Sequence, residues 1–163
     1  MPKYLKVSKN NLPSETGELY AGACVWFYKK IDGEIFLLFQ KRSKKVHNGG
    51  FYDISAGGHV DVGEDVLAAA VREVKEEIGV SLEKDRLEFL CAYRVANKIA
   101  SIFIVDWTGE SDRFVLDSEE VEAVKWVKLR DFDDFVKEEV KPNLKNDFPH
   151  FELLKARLKN GNY

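Results

Sequence analysis

The stretch GHVDVGEDVLAAAVREVKEEIGV, residues 58–80, decides how this chain is read. From Glu64 to Ile78 it is rich in Ala, Val, Glu and Lys and holds no breaker before Gly79, so it predicts a helix stopped by that glycine. At about 100° per residue, Val66, Ala70, Val74 and Ile78 form an apolar stripe fit to pack on a sheet. Glu73, Glu76 and Glu77 share a different face, with Arg72 flanking them. Like charges at this spacing repel, each pair costing roughly a few tenths of a kcal/mol, so something must compensate. Lys75 points away from the centre of the cluster. A hard divalent cation, Mg2+ or Mn2+, would turn repulsion into coordination and would accept phosphate oxygens as well.

Outward from this helix, the apolar run Tyr20 to Tyr28, the turn Asp32-Gly33 and the run Ile35 to Gln40 predict a hairpin. Lys41 to Gly50 reads as an exposed basic loop and Phe51 to Ala56 as a short strand, followed by a loop at Gly57-Gly58. Beyond Gly79, strands are expected at Arg86 to Ala96, Ala100 to Trp107 and Val121 to Leu129, with a loop over 109–120. Helices are expected at Asp131 to Val140 and near Phe151 to Leu158. Strands on both sides of one central helix, with more helix at the end, predict an α/β (α+β) fold in which helices sandwich a mixed sheet. Residues 1–17 read as a lead-in, and the whole of 1–163 as one domain without repeats.

Composition narrows the function. With 163 residues, 45% of them hydrophobic, the chain can bury a core without disulfide or metal staples. Cys24 and Cys91 sit in apolar runs without metal-ligand spacing and read as buried thiols. A net charge of −3 supplies no basic field for a nucleic acid, so none is expected as a partner; a small anionic substrate fits better. No signal-peptide core or run of eighteen apolar residues is present, so no membrane is expected and the cytoplasm is the predicted location.

A bare E-x-x-E-E is ordinarily a solvated acidic face. Here, however, the segment resembles the Nudix family, whose box reads G-x5-E-x7-R-E-U-x-E-E-x-G-U with U a bulky aliphatic. All nine specified positions match: Gly58, Glu64, Arg72, Glu73, Val74, Glu76, Glu77, Gly79 and Val80. The resemblance implies the family's α/β/α sandwich and metal-dependent hydrolysis of a diphosphate linkage in a small phosphorylated metabolite. Carried over residue by residue, it makes Glu73, Glu76 and Glu77 metal ligands, completed by the carbonyl of Gly57. It has Arg72 orient Glu73 and makes Glu64 an accessory ligand or a carboxylate just behind the ligands. Glu76, or Glu119 and Glu120 in DSEEVE, are candidates for the general base. Many members are homodimers, which leaves that assembly open.

Gln40 to Ser43 together with Gly58-His59 resemble the isopentenyl-diphosphate-isomerase-like branch of the family. True isomerases carry a catalytic cysteine where this chain has Gly57, and an upstream histidine pair that Leu19 to Val25 lacks, so isomerisation is not expected. His59 reads equally as a metal or phosphate contact and as a loop hydrogen-bonder; His150 has no motif. Lys41, Arg42 and Lys44, with Lys45, are candidates for holding a terminal phosphate, or are a solvated loop. Trp26, Phe51 and Tyr52 read first as core aromatics and second as a stacking platform. Isomerisation and a non-catalytic ligand-binding role are the alternatives to hydrolysis.

Overall fold

A computed structural model describes residues 19–95, 97–140 and 150–161; the lead-in expected over 1–17 lies outside them. The element order is β1 (Tyr20–Ile31), β2 (Glu34–Arg42), β3 (Tyr52–Asp53), β4 (Ala56–His59), α1 (Val66–Ile78), β5 (Glu88–Val95), β6 (Lys98–Asp106), β7 (Val121–Lys128), α2 (Phe132–Glu139) and α3 (His150–Asn160). The seven strands form one mixed sheet, in which β3, β2, β1, β6 and β5 are successive neighbours, β4 pairs with β1 and β7 with β2. β1 runs parallel to β6 and antiparallel to β2 and β4.

Central strand β1 explains the layering. Its side chains alternate, so Ala21, Ala23, Val25 and Phe27 face one layer, where Ala69, Ala70, Val74 and Ile78 of α1 pack. Cys24, Trp26 and Tyr28 face the other, against Phe132 and Phe135 of α2 and Phe151, Leu154 and Leu158 of α3. Burial on both faces is why this strand reads as an unbroken apolar run. The predicted mixed sheet between helices is the fold observed. Among the described residues no helix is long and apolar enough to cross a membrane.

Several details differ from expectation. Helix α1 begins at Val66 rather than Glu64, because the Asp65 side chain accepts from the Ala68 amide and caps it. The strand expected at Phe51 to Ala56 is two short strands, and Gly57-Gly58 lies within the second rather than in a loop. A Cβ on Gly57 would stand 2.8 Å from the Ala23 carbonyl oxygen, so only glycine permits this close pairing with β1. Cys24 is buried but Cys91 is only half-buried, beside a register shift in β5. Of the three aromatics, Trp26 is fully buried, Tyr52 packs on Phe135 and Phe51 is exposed.

Candidate active site

Helix α1 and strand β4 meet at a cleft of about 510 Å³. Its lining draws Glu73, Glu76, Glu77 and Arg72 from α1, Gly57, Gly58 and His59 from β4, Gln40 and Arg42 from β2, and Glu120 from the loop before β7. Glu73 and Glu77 are buried and Glu76 is exposed, so the cluster grades from interior to solvent along one helical face. A Cβ on Gly58 would fall 2.2 Å from Glu73 Oε1, which means the glycine creates the space for that carboxylate.

The acidic cluster is held together by Arg72. Its Nη1 donates to Glu73 Oε1 at 2.9 Å and to Glu76 Oε2 at 3.0 Å. Nε and Nη2 clasp both oxygens of Glu64 at 3.0 Å, and Nη2 also reaches the His59 carbonyl at 2.8 Å. Much of the compensation that the sequence assigned to a cation is thus supplied by this guanidinium, which a planar five-donor fork permits. The bidentate bond from Arg72 lowers the Glu64 pKa, and the same bond raises that of Arg72.

Glu77 has other partners. Its Oε2 accepts from Gln40 Nε2 at 2.7 Å and from the Gly57 amide at 2.9 Å. Burial still dominates and pushes its carboxyl up to about 8, with Glu73 and Glu120 adding to the rise. Burial raises the Glu73 carboxyl too, and Arg72 pulls it only partly back. His59 is lowered, first by burial and then by Lys98, and its ring lies 5.0 Å from that of Tyr20.

Beyond α1, Gly79 adopts φ of 72°, and a Cβ there would meet Val115 at 2.6 Å. The turn lets the loop over 110–120 fold back. The Val115 and Asp117 amides donate to the carbonyls of Ile78 and Glu77, which brings Glu120 to the cleft. Glu119 instead turns outward to Lys45.

Of the basic candidates only Arg42 lines the cleft, where it pairs with buried Asp53 at 3.2 Å. Lys41 ends up on strand β2 rather than in a loop and pairs with Glu122, and Lys44 is exposed on the following loop. Adjacent strand residues face opposite ways, so Lys41 and Arg42 do not serve one site. The sequence reading missed Gln40 as a partner of Glu77, Asp53 as the anchor of Arg42, and Lys98, all of which come from other strands. An amide in an apolar strand, as at Gln40, was the available signal.

Hard carboxylate oxygens at graded depth, with glycines that admit close backbone approach, are a donor set that fits Mg2+ or Mn2+. Among the described residues no three acidic, His or Cys side chains are already gathered at ligating distances, since Arg72 holds Glu73 and Glu76. A cation would therefore compete with Arg72 for these groups.

The family model of the NUDIX domain matches residues 20–150. Nudix hydrolase 3 of Arabidopsis thaliana is 27% identical over 135 residues, covering 76% of this chain but only 17% of the plant protein. An isopentenyl-diphosphate Delta-isomerase of Cereibacter sphaeroides is 31% identical over 114 residues, covering 65% of this chain and 63% of that protein. The crystal structure of a C. elegans Ap4A hydrolase binary complex superposes with a TM-score of 0.60 at 23% identity, covering 86% of this chain and 97% of that one.

Proposed function

The chain belongs to the NUDIX domain family, and from that premise we propose that it hydrolyses a diphosphate linkage in a small phosphorylated metabolite, with nucleoside diphosphate derivatives as the favoured class. The observation that carries this reading is the buried pair Glu73 and Glu77, opening with Glu76 into one cleft. The two hydrogen bonds to Glu77 do not offset its burial, and a positive charge beside it would stabilise the anion.

In this reading Glu73, Glu76, Glu77 and the Gly57 carbonyl would hold Mg2+ or Mn2+, which would supply neutralisation of phosphate oxygens and a more acidic water. Gln40 and the Gly57 amide fix Glu77 by gripping one oxygen and leaving the other for coordination. Arg72, anchored by Glu64, sets the direction of Glu73. Glu76 or Glu120 takes the proton of the attacking water, as both are exposed at the cleft. Arg42 lines the cleft with Nη1 paired to Asp53 and Nε to the His47 carbonyl, which leaves Nη2 as its donor toward a phosphate oxygen. The Ap4A hydrolase likeness makes dinucleoside polyphosphates a sensible part of the substrate screen.

The kinship with an isomerase gives a second reading, against which the absence of any side chain at Gly57 counts. Ap4A, ADP-ribose, nucleoside triphosphates and isoprenoid diphosphates, incubated with Mg2+ or Mn2+ and analysed by mass, separate the two. Phosphoanhydride cleavage abolished by a chelator is expected. Rearrangement without cleavage would support the isomerase, and ligand-induced stabilisation without any turnover would support a non-catalytic module.

A further inference from the structure

Three cations line the cleft, and two are committed to acids of the protein: Arg42 to Asp53, and Arg72 to Glu64, Glu73 and Glu76. The third, Lys98, has no ion-pair partner among the described residues, although carboxylates surround the cleft. An uncommitted ammonium inside an acidic cleft is available to an incoming anion.

Its position is built. Lys98 opens β6 beside Tyr20 of β1 and is half-buried. A Cβ on Gly22 would lie 2.3 Å from Lys98 Cε, 2.9 Å from Nζ and 3.4 Å from the Gly58 carbonyl oxygen. The lysine stem therefore runs through the trough that Gly22 leaves on β1, toward β4, where Gly22 is paired with His59. This route carries the ammonium from the start of β6 to the wall of the cleft formed by Gly58 and His59. A side chain at position 22 would displace the end of the lysine stem from this trough, so Gly22 sets where the ammonium rests.

We propose that Lys98, seated over Gly22, is a substrate-binding residue that holds the non-bridging oxygens of a phosphate group of the substrate. The proposal rests on the diphosphate reading above and names a residue for it. A lysine suits this task as a compact point charge with three donors and no fixed orientation, matching a phosphate's several equivalent oxygens. It acts by charge on the bound anion, and no bond to it is made or broken.

The test is binding of α,β-methylene-ADP, whose P–C–P bridge resists hydrolysis, by calorimetry in Mg2+. Lys98→Met, which keeps the stem and removes the charge, should weaken binding about tenfold or more, as expected for a lost charge-assisted contact. Lys98→Arg should retain most of the affinity, and Gly22→Ala, which obstructs the stem and keeps the charge, should weaken it. On whichever diphosphate the wild type cleaves, Lys98→Met should raise KM with little change in kcat. Unchanged affinity and KM in Lys98→Met, with or without a fall in melting temperature, would overturn the proposal and leave hydrolysis standing. Charge-dependent binding without cleavage of any diphosphate would instead overturn the hydrolase reading and support the role of Lys98.

Discussion

Replacing Glu77 by Gln should change the pH dependence of stability in a way that isolates the cost of burying its charge. The carboxyl is 5% exposed, and its pKa rises from 4.5 to about 8 on folding, chiefly through burial. At about 1.4 kcal/mol per pH unit, ionising Glu77 in the folded chain is disfavoured by up to about 5 kcal/mol relative to the unfolded chain. Relaxation and water entry reduce this to a few kcal/mol. Between pH 4.5 and 8 the folded state holds a proton that the unfolded state has lost, so metal-free stability falls as pH rises across that window. Glu77→Gln stays neutral and loses this gradient. Urea denaturation in chelator from pH 5 to 9 should show the variant near the wild type at the acid end and more stable by a few kcal/mol at the alkaline end. With Mg2+ the order should reverse at high pH, because the wild type alone gains an anionic ligand. Parallel stability curves in chelator would refute the argument.

Gln40→Leu removes the 2.7 Å donor to Glu77 and should lower Mg2+ affinity roughly 10- to 100-fold, read by calorimetry. It should also destabilise the protein by about 1–3 kcal/mol at pH 8, read by urea denaturation. Gly58→Ala places a Cβ against Glu73 and should cost about 1–3 kcal/mol in denaturation while abolishing metal-dependent turnover. His150 accepts from Trp26 Nε1 at 2.9 Å, and burial lowers its pKa from 6.5 to about 3. Its imidazole should therefore remain neutral in NMR titration from pH 8 to 5; because the folded pKa is depressed, its contribution to stability is full above pH 6.5 and declines below it.

The helix carrying the acidic residues was legible in sequence because three independent signals coincide there: the apolar stripe at 66, 70, 74 and 78, the carboxylates on another face, and Gly79 as the stop. Strand β1 was legible because burial on both faces leaves an apolar run. Strand β4 was not, since AGGH carries glycines that ordinarily mark a loop and here serve close packing on Ala23 and Glu73. The clasp of Arg72 on Glu64, eight residues away, requires the intervening turn to fold back on the helix, which periodicity along the helix does not encode. Gln40, Asp53 and Lys98 reach the cleft through strand pairing, and pairing depends on contacts distant in sequence. The basic run after Gln40 misled for the same reason: β2 extends to Arg42 and sends Lys41 away from the site.

In the proposed site Glu73, Glu76 and Glu77 gather a divalent cation despite the hold of Arg72 on two of them. Titration of Mn2+ followed by electron paramagnetic resonance, in wild type and in Glu73→Gln and Glu77→Gln, reads this binding without substrate. Saturable binding by the wild type that each substitution weakens at least tenfold is the predicted result, each variant losing one charged ligand. Indistinguishable Mn2+ binding in all three proteins, or none by the wild type at millimolar metal, would contradict it.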